Sequence, residues 1–302
     1  MQPIPVVIDT DPGLDDAVAI LFALASPAFD IRGVTTVAGN IGLARVTENA
    51  GRLLAVAGRG DVPVVAGAAA PLVRPARTAS EIHGADGLGG VALPAPLAAA
   101  REGAVAWLAA ALEARPGMVL LTLGPLTNLA LLLRDHPGAA GRIGRVIAMG
   151  GAVRTHGNVG PRAEFNIAAD PEAADAVFAA GLDLTLIPLD VTREVRAGAA
   201  WCAGLRASGR AGAVASAALV EAYFASTTVT GPGAESRPLH DPCVMLLAEA
   251  PGLFGVEPMG LRVDLEGEPG ALLPDPARPP VKVAMTVDGP GALALLAARL
   301  TA

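Results

Sequence analysis

The chain has 302 residues, 52% of them hydrophobic and 17% charged, with a formal net charge of −7. That balance excludes a disordered chain, and the acidic excess without a basic run argues against nucleic acid or another polyanion as partner. Cys202 and Cys243 are too few for a disulfide framework or a zinc cluster, and the apolar stretches are broken well short of the roughly 20 residues of a membrane span.

In chain order, short β-branched runs alternate with Ala/Leu-rich helical runs. Pro3 to Asp9 predicts a strand and Leu14 to Ala25 a helix that Pro27 halts. The chain goes straight into that strand, with no basic region, apolar segment and cleavage site, so a cytoplasmic protein is expected. Phe29 to Val37 is the second strand, Leu43 to Ala57 the second helix, and Val62 to Ala66 a short buried strand. Residues 67–100 break the rhythm with a Pro/Gly/Ala-rich segment holding Glu81-Ile82-His83-Gly84. Its length and glycine content suggest a lid, as do those of residues 227–239.

Glu102 to Arg115 resumes as helix, Met118 to Leu123 as strand, and Pro125 to Leu133 as helix, with His136 at a helix end. Arg145 to Met149 is a strand, and residues 152–169 form a second polar loop. Asp170-Pro171-Glu172 has the pattern of a capped helix start. Asp183 to Pro188 is a strand, and helices follow near Ala197 to Ala207 and Ala211 to Ser226. Tyr223 and Phe224 on the second of these read as core-facing. His240-Asp241-Pro242 opens a helix to Ala250, Val256 to Leu265 and Pro280 to Val287 are strands, and Gly291 to Arg299 is the last helix. No repeat or composition shift marks a boundary. Residues 1–302 therefore predict a single α/β domain with a central, mostly parallel sheet flanked by helices. In such sheets ligands sit beyond the carboxyl ends of the strands.

The chemistry is concentrated at the first of those ends. Asp9, Asp11, Asp15 and Asp16 fall within eight residues, bent by Pro12 and Gly13. Helix capping needs one such carboxylate, whereas four together call for a divalent cation, and hard ions such as Ca²⁺ take about six to eight oxygen ligands. Asn40, Thr127, residues 158–166 and Asp241 also follow strands or start helices, so one rim could gather them all. An Asp-x-Asp after a first strand also resembles the haloacid-dehalogenase-type phosphatases. Those need a small polar residue soon after the second Asp and a downstream lysine, whereas Pro12-Gly13 follows here and the lone lysine is Lys282.

Asp9-Thr10-Asp11-Pro12-Gly13-Leu14-Asp15-Asp16 resembles the signature of the inosine-uridine nucleoside N-ribohydrolase family. Thr35 to Asn40, Gly124 to Asn128, Met149-Gly150-Gly151, Ala163-Glu164-Phe165-Asn166 and His240-Asp241-Pro242 match its further motifs in order. The resemblance implies a Rossmann-like fold, a small-molecule nucleoside as substrate, and a homodimer or homotetramer. It implies Ca²⁺ held by Asp11, Asp16 and Asp241 carboxylates and the Thr127 carbonyl, with Asp9 bracing those ligands. It places Asp15, Asn40 and Asn166 on the ribose hydroxyls and Asn158 and Glu164 at its 5′ end. Met149, Phe165 and His83 join the substrate pocket.

Asp11 is then the base that deprotonates a water, and His240 the acid for the leaving base. The reaction expected is hydrolysis of a ribonucleoside to ribose and free base. Two other readings remain open on residues alone: a nucleoside or ribose sensor without turnover, and a hydrolase of another ribosyl compound such as a nicotinamide riboside. His156 has no motif support. Base preference is not specified, because the tyrosines that flank the base in related chains are reduced here to Tyr223.

Overall fold

The computed structural model describes residues 2–226 and 235–302. Twelve strands are present among them: β1 (Ile4–Thr10), β2 (Phe29–Thr36), β3 (Val64–Ala66), β4 (Arg101–Glu102), β5 (Val119–Thr122), β6 (Arg145–Met149), β7 (Leu184–Ile187), β8 (Arg196–Gly198), β9 (Ser236–Pro238), β10 (Phe254–Val263), β11 (Leu272–Pro274) and β12 (Pro280–Val287). Ten of them form one sheet in the order β11-β10-β12-β7-β6-β5-β1-β2-β3-β4. From β12 to β4 all pairings are parallel, and β10 and β11 add an antiparallel edge. The expected mostly parallel sheet is therefore present. No helix among the described residues is long and apolar enough to cross a membrane.

Both faces of the sheet are covered. Side chains alternate across β1, so Val6 and Ile8 pack with the helix Leu14–Ala25 on one face, while Val7 packs with Leu120, Val146 and Leu186 on the other. Leu14–Ala25 is apolar nearly all round, and residues 14–23 are all buried. Such a helix belongs inside a protein, and it carries its N-terminus into the interior with it. The chain order reverses at β1, which lies between β2 and β5, so a crevice opens beyond Thr10, Thr36 and Thr122.

Strand ends shift by a residue or two from the expected spans, the short strands β4 and β11 are additional, and three further differences stand out. The two-stranded β8–β9 ribbon was not expected, because its partners lie about 40 residues apart and each is three residues long. Residues 67–100 contain a one-turn helix, Ser80–His83, and are pinned to the body. Leu72 donates its amide to Asp170, the Arg74 guanidinium pairs with Glu172, and the Asn49 amide group donates to the Asp86 carbonyl. The polar loop before Asp170 ends in a further helix, Phe165–Ala169. Of the second expected lid, residues 227–234 lie outside the described residues.

Candidate active site

Buried carboxylates fill the crevice beyond β1. Asp9, Asp11, Asp15, Asp16 and Asp241 are all buried, and Asp15, Asp16 and Asp241 bring one oxygen each within 4.8 Å of one another. Asp241 sits at the N-terminus of the helix Pro242–Glu249 but makes no side-chain cap bond, so its carboxylate is free to face the cluster. Asp16 takes part of a capping role, accepting the Gly13 amide at 3.0 Å as well as the Thr10 hydroxyl at 2.7 Å and the Asn40 amide group at 3.0 Å.

Asp11 fits a slot that only glycine leaves open. A Cβ at Gly39 or at Gly124 would overlap its carboxylate. One oxygen accepts the Asn40 backbone amide at 2.6 Å, and the other, Oδ1, is buried with no hydrogen-bond partner. Burial and mutual repulsion push the Asp11, Asp16 and Asp241 carboxyls up. Burial raises Asp9 to about 6, against hydrogen bonds from Thr35 and Asn128. An orphaned carboxylate oxygen beside carboxylates that repel one another fits a bound cation, which would satisfy the first and relieve the second.

A cleft of about 130 Å³ opens over this cluster. Every residue expected to contact substrate lines it: Asp15, Asn40, His83, Met149, Asn158, Glu164, Phe165 and Asn166, together with His240 and Asp241. Asp9, Asp11, Asp16 and Thr127 are buried and do not line it. Thr127 starts the helix Thr127–Asp135, and its hydroxyl donates to Asp170 at 2.7 Å.

Hydrogen bonds fix what each amide offers. Asn40 spends its NH₂ on the Asp11 carbonyl and Asp16, and Asn166 spends its own on the Leu123 carbonyl at 2.6 Å and on Met149, so both leave an oxygen as acceptor. Asn158 does the reverse: its oxygen accepts the Phe165 amide at 2.9 Å, leaving its NH₂ as donor. Glu164 accepts three backbone amides, from Gly151, Asn166 and Ile167, while burial raises its carboxyl.

Two histidines face the same cleft. His83 is buried, and its Nδ1 accepts the Leu14 amide at 3.0 Å, so the ring proton of the neutral form is on Nε2. His240 donates its backbone amide to Asp15 at 3.3 Å, and its Nδ1 lies 2.7 Å from the Thr192 hydroxyl. Burial lowers the His240 imidazole, with Asp15 acting the other way. Tyr223 packs against the core as expected and also lines the cleft. Phe224 stacks beneath the Arg237 guanidinium at 4.6 Å. Asn128, which lies in the Gly124 to Asn128 motif, Asp170, which caps its helix as expected, and Thr192, which has no sequence signal, also brace the site.

The family model described as inosine-uridine preferring nucleoside hydrolase matches residues 6–294. The chain belongs to that nucleoside hydrolase family. It is 37% identical over 306 residues to the pyrimidine-specific ribonucleoside hydrolase RihA of Salmonella gallinarum, covering 98% of each. Among solved structures it resembles a plant nucleoside hydrolase, PpNRh1, at 36% identity and a TM-score of 0.88 over 99% of each chain. It resembles a purine-preferring ribonucleoside hydrolase from Gardnerella vaginalis at 30% identity and a TM-score of 0.92 over 98% of each. The nucleoside hydrolase assignment makes the protein an N-glycosidase acting on ribonucleosides, which sets aside the reading as a sensor without turnover. The names of these relatives divide between pyrimidine and purine preference.

Proposed function

We propose that this nucleoside hydrolase uses Ca²⁺ to hydrolyse the N-glycosidic bond of a ribonucleoside, releasing ribose and free base. The observation that carries the reading is the unpartnered, buried Oδ1 of Asp11 beside the converging carboxylates of Asp15, Asp16 and Asp241. Asp11, Asp16, Asp241 and the Thr127 carbonyl would hold the ion. When bound, Ca²⁺ supplies positive charge that orients a water and lowers its pKa.

Asp11 would take the proton of a water as it attacks the anomeric carbon and the bond to the base breaks. Asp15 and the acceptor oxygens of Asn40 and Asn166 take hydrogen bonds from ribose hydroxyls, and they stabilise positive charge as it develops on the sugar ring. The Asn158 NH₂ and Glu164 hold the 5′ hydroxyl, and Asp9 braces the turn. His240 donates a proton to the departing base, with His83, Met149 and Phe165 walling the pocket. The enzyme is read as a cytoplasmic homodimer or homotetramer.

Ribose release from inosine, uridine, cytidine, adenosine, guanosine and nicotinamide riboside, compared in one assay with Ca²⁺ present, tests the reaction. Free ribose should appear from at least one of the five nucleosides. Turnover of nicotinamide riboside alone would contradict the reading.

A further inference from the structure

Residues 152–164, which carry Asn158 to the cleft, contain no helix or paired strand apart from an isolated bridge at Ala163. Before Asn158 the backbone is held by side chains of one neighbouring segment, the short helix Leu189–Thr192 and the residue after it, whereas after it Glu268 accepts the Arg162 and Ala163 amides. The Asp190 carboxylate accepts the Val153 amide at 2.8 Å and the Arg154 amide at 2.7 Å. The Arg193 guanidinium donates to the Thr155 hydroxyl at 2.9 Å, the His156 carbonyl at 2.7 Å and the Gly157 carbonyl at 3.0 Å. Five consecutive residues, 153 to 157, are thus each bonded to Asp190 or Arg193, and the next is Asn158. Between the two, Thr192 reaches the His240 ring at 2.7 Å.

We propose that Asp190 and Arg193 are positioning residues that hold Asn158 over the ribose, so that one short segment sets both the sugar end of the cleft and, through Thr192, the His240 end. The inference rests on the reading of Asn158 as a 5′-hydroxyl contact. Charged groups suit the task, since their hydrogen bonds are shorter and stronger than neutral ones. The planar guanidinium suits it further, because it serves three acceptors in a fixed fork that a lysine ammonium does not reproduce. Beyond Asn158 the chain is secured again, by its own amide to the Ala163 carbonyl and by its side chain to Phe165. Release of Arg193 therefore frees one side of a loop that stays anchored on the other, and shifts Asn158 without unfolding the domain.

The test compares p-nitrophenyl β-D-ribofuranoside with its 5-deoxy analogue for wild type, Arg193→Ala, Arg193→Lys, Asn158→Ala and the Arg193→Ala/Asn158→Ala double variant. Backbone hydrogen exchange over residues 153–160 is the readout independent of turnover. Asn158→Ala and Arg193→Ala should each lower kcat/KM about tenfold on the riboside and leave the 5-deoxy substrate nearly unchanged, with Arg193→Lys between them and wild type. The double variant should be no worse than Asn158→Ala alone, because both losses act through one contact. Exchange over 153–160 should accelerate in Arg193→Ala.

Equal losses on both substrates, full additivity in the double variant, or unchanged exchange would overturn the proposal. Asn158→Ala that treats both substrates alike overturns it at its premise. That failure is told apart from a failure of the clamp, since Arg193→Ala then still accelerates exchange.

Discussion

The Nδ1 of His83 accepts the backbone amide of Leu14 at 3.0 Å, tying the middle of the Pro/Gly/Ala-rich segment to the first turn of the buried helix. A Cβ at Gly13 would collide with the same ring and with the Asn40 amide group, so the chain passes between the two only as glycine. His83→Ala strands a buried amide, which costs about 1 kcal/mol. Thermal unfolding should show a fall in Tm of about 2 °C together with lower activity. An unchanged Tm would mean that water replaces the ring without loss.

The slot around Asp11 gives a second expectation. Gly39→Ala and Gly124→Ala each place a methyl against its carboxylate. Both should weaken Ca²⁺ binding by at least about tenfold while Ca²⁺-free folding is retained. Calorimetric titration of Ca²⁺ into the variants checks this, and wild-type affinity in both would show that Asp11 moves without consequence.

Stability should respond to pH in opposite ways with and without Ca²⁺. Asp9 at about 6, and Asp11, Asp16 and Asp241 also raised, bind protons in the folded state that the unfolded chain has already released. Their burial cost is therefore largest above the folded values and is relieved as pH falls toward the unfolded value near 4. For Asp9 alone the shift corresponds to an upper bound on the order of 3 kcal/mol. Chelated protein should melt at a higher temperature at pH 5.5 than at pH 7.5, and saturating Ca²⁺ should reverse that order. Melting curves at the two pH values, with chelator and with Ca²⁺, decide it; the same order in both would count against a cation at these carboxylates.

His240 separates leaving-group chemistry from sugar chemistry. His240→Ala should reduce inosine hydrolysis at least about tenfold more than hydrolysis of p-nitrophenyl riboside, whose leaving group needs no proton. Steady-state rates on the two substrates read this directly, and equal losses would remove His240 as the acid.

The part of the site legible in the sequence is the part built by local spacing. Asp9 to Asp16 lie within one strand-to-helix turn, and Asn40 and Asp241 fall where parallel strands end or helices begin. A parallel sheet with its chain reversal at β1 then brings them together. Groups whose partners are distant in the chain gave no such signal. His83 finds Leu14 across 69 residues, Thr192 finds His240 across 48, and Asp170 finds Leu72 across 98. The cleft-facing edge of Tyr223 has no signal, because the helix Ala211–Ser226 shows no clear apolar periodicity to orient it. Strands β8 and β9 have no such signal, because Arg196-Ala197-Gly198 and Ser236-Arg237-Pro238 are each three residues long without an apolar run.

Removing and restoring Ca²⁺ in wild type and Asp11→Ala shows whether these carboxylates hold an ion required for turnover. Chelation should abolish ribose release from the wild-type enzyme and stoichiometric Ca²⁺ should restore it. Asp11→Ala should stay about 10²–10⁴-fold slower at any Ca²⁺ concentration, the range expected for a lost general base. Full activity in metal-stripped wild type, or near-normal turnover by Asp11→Ala, would contradict the account.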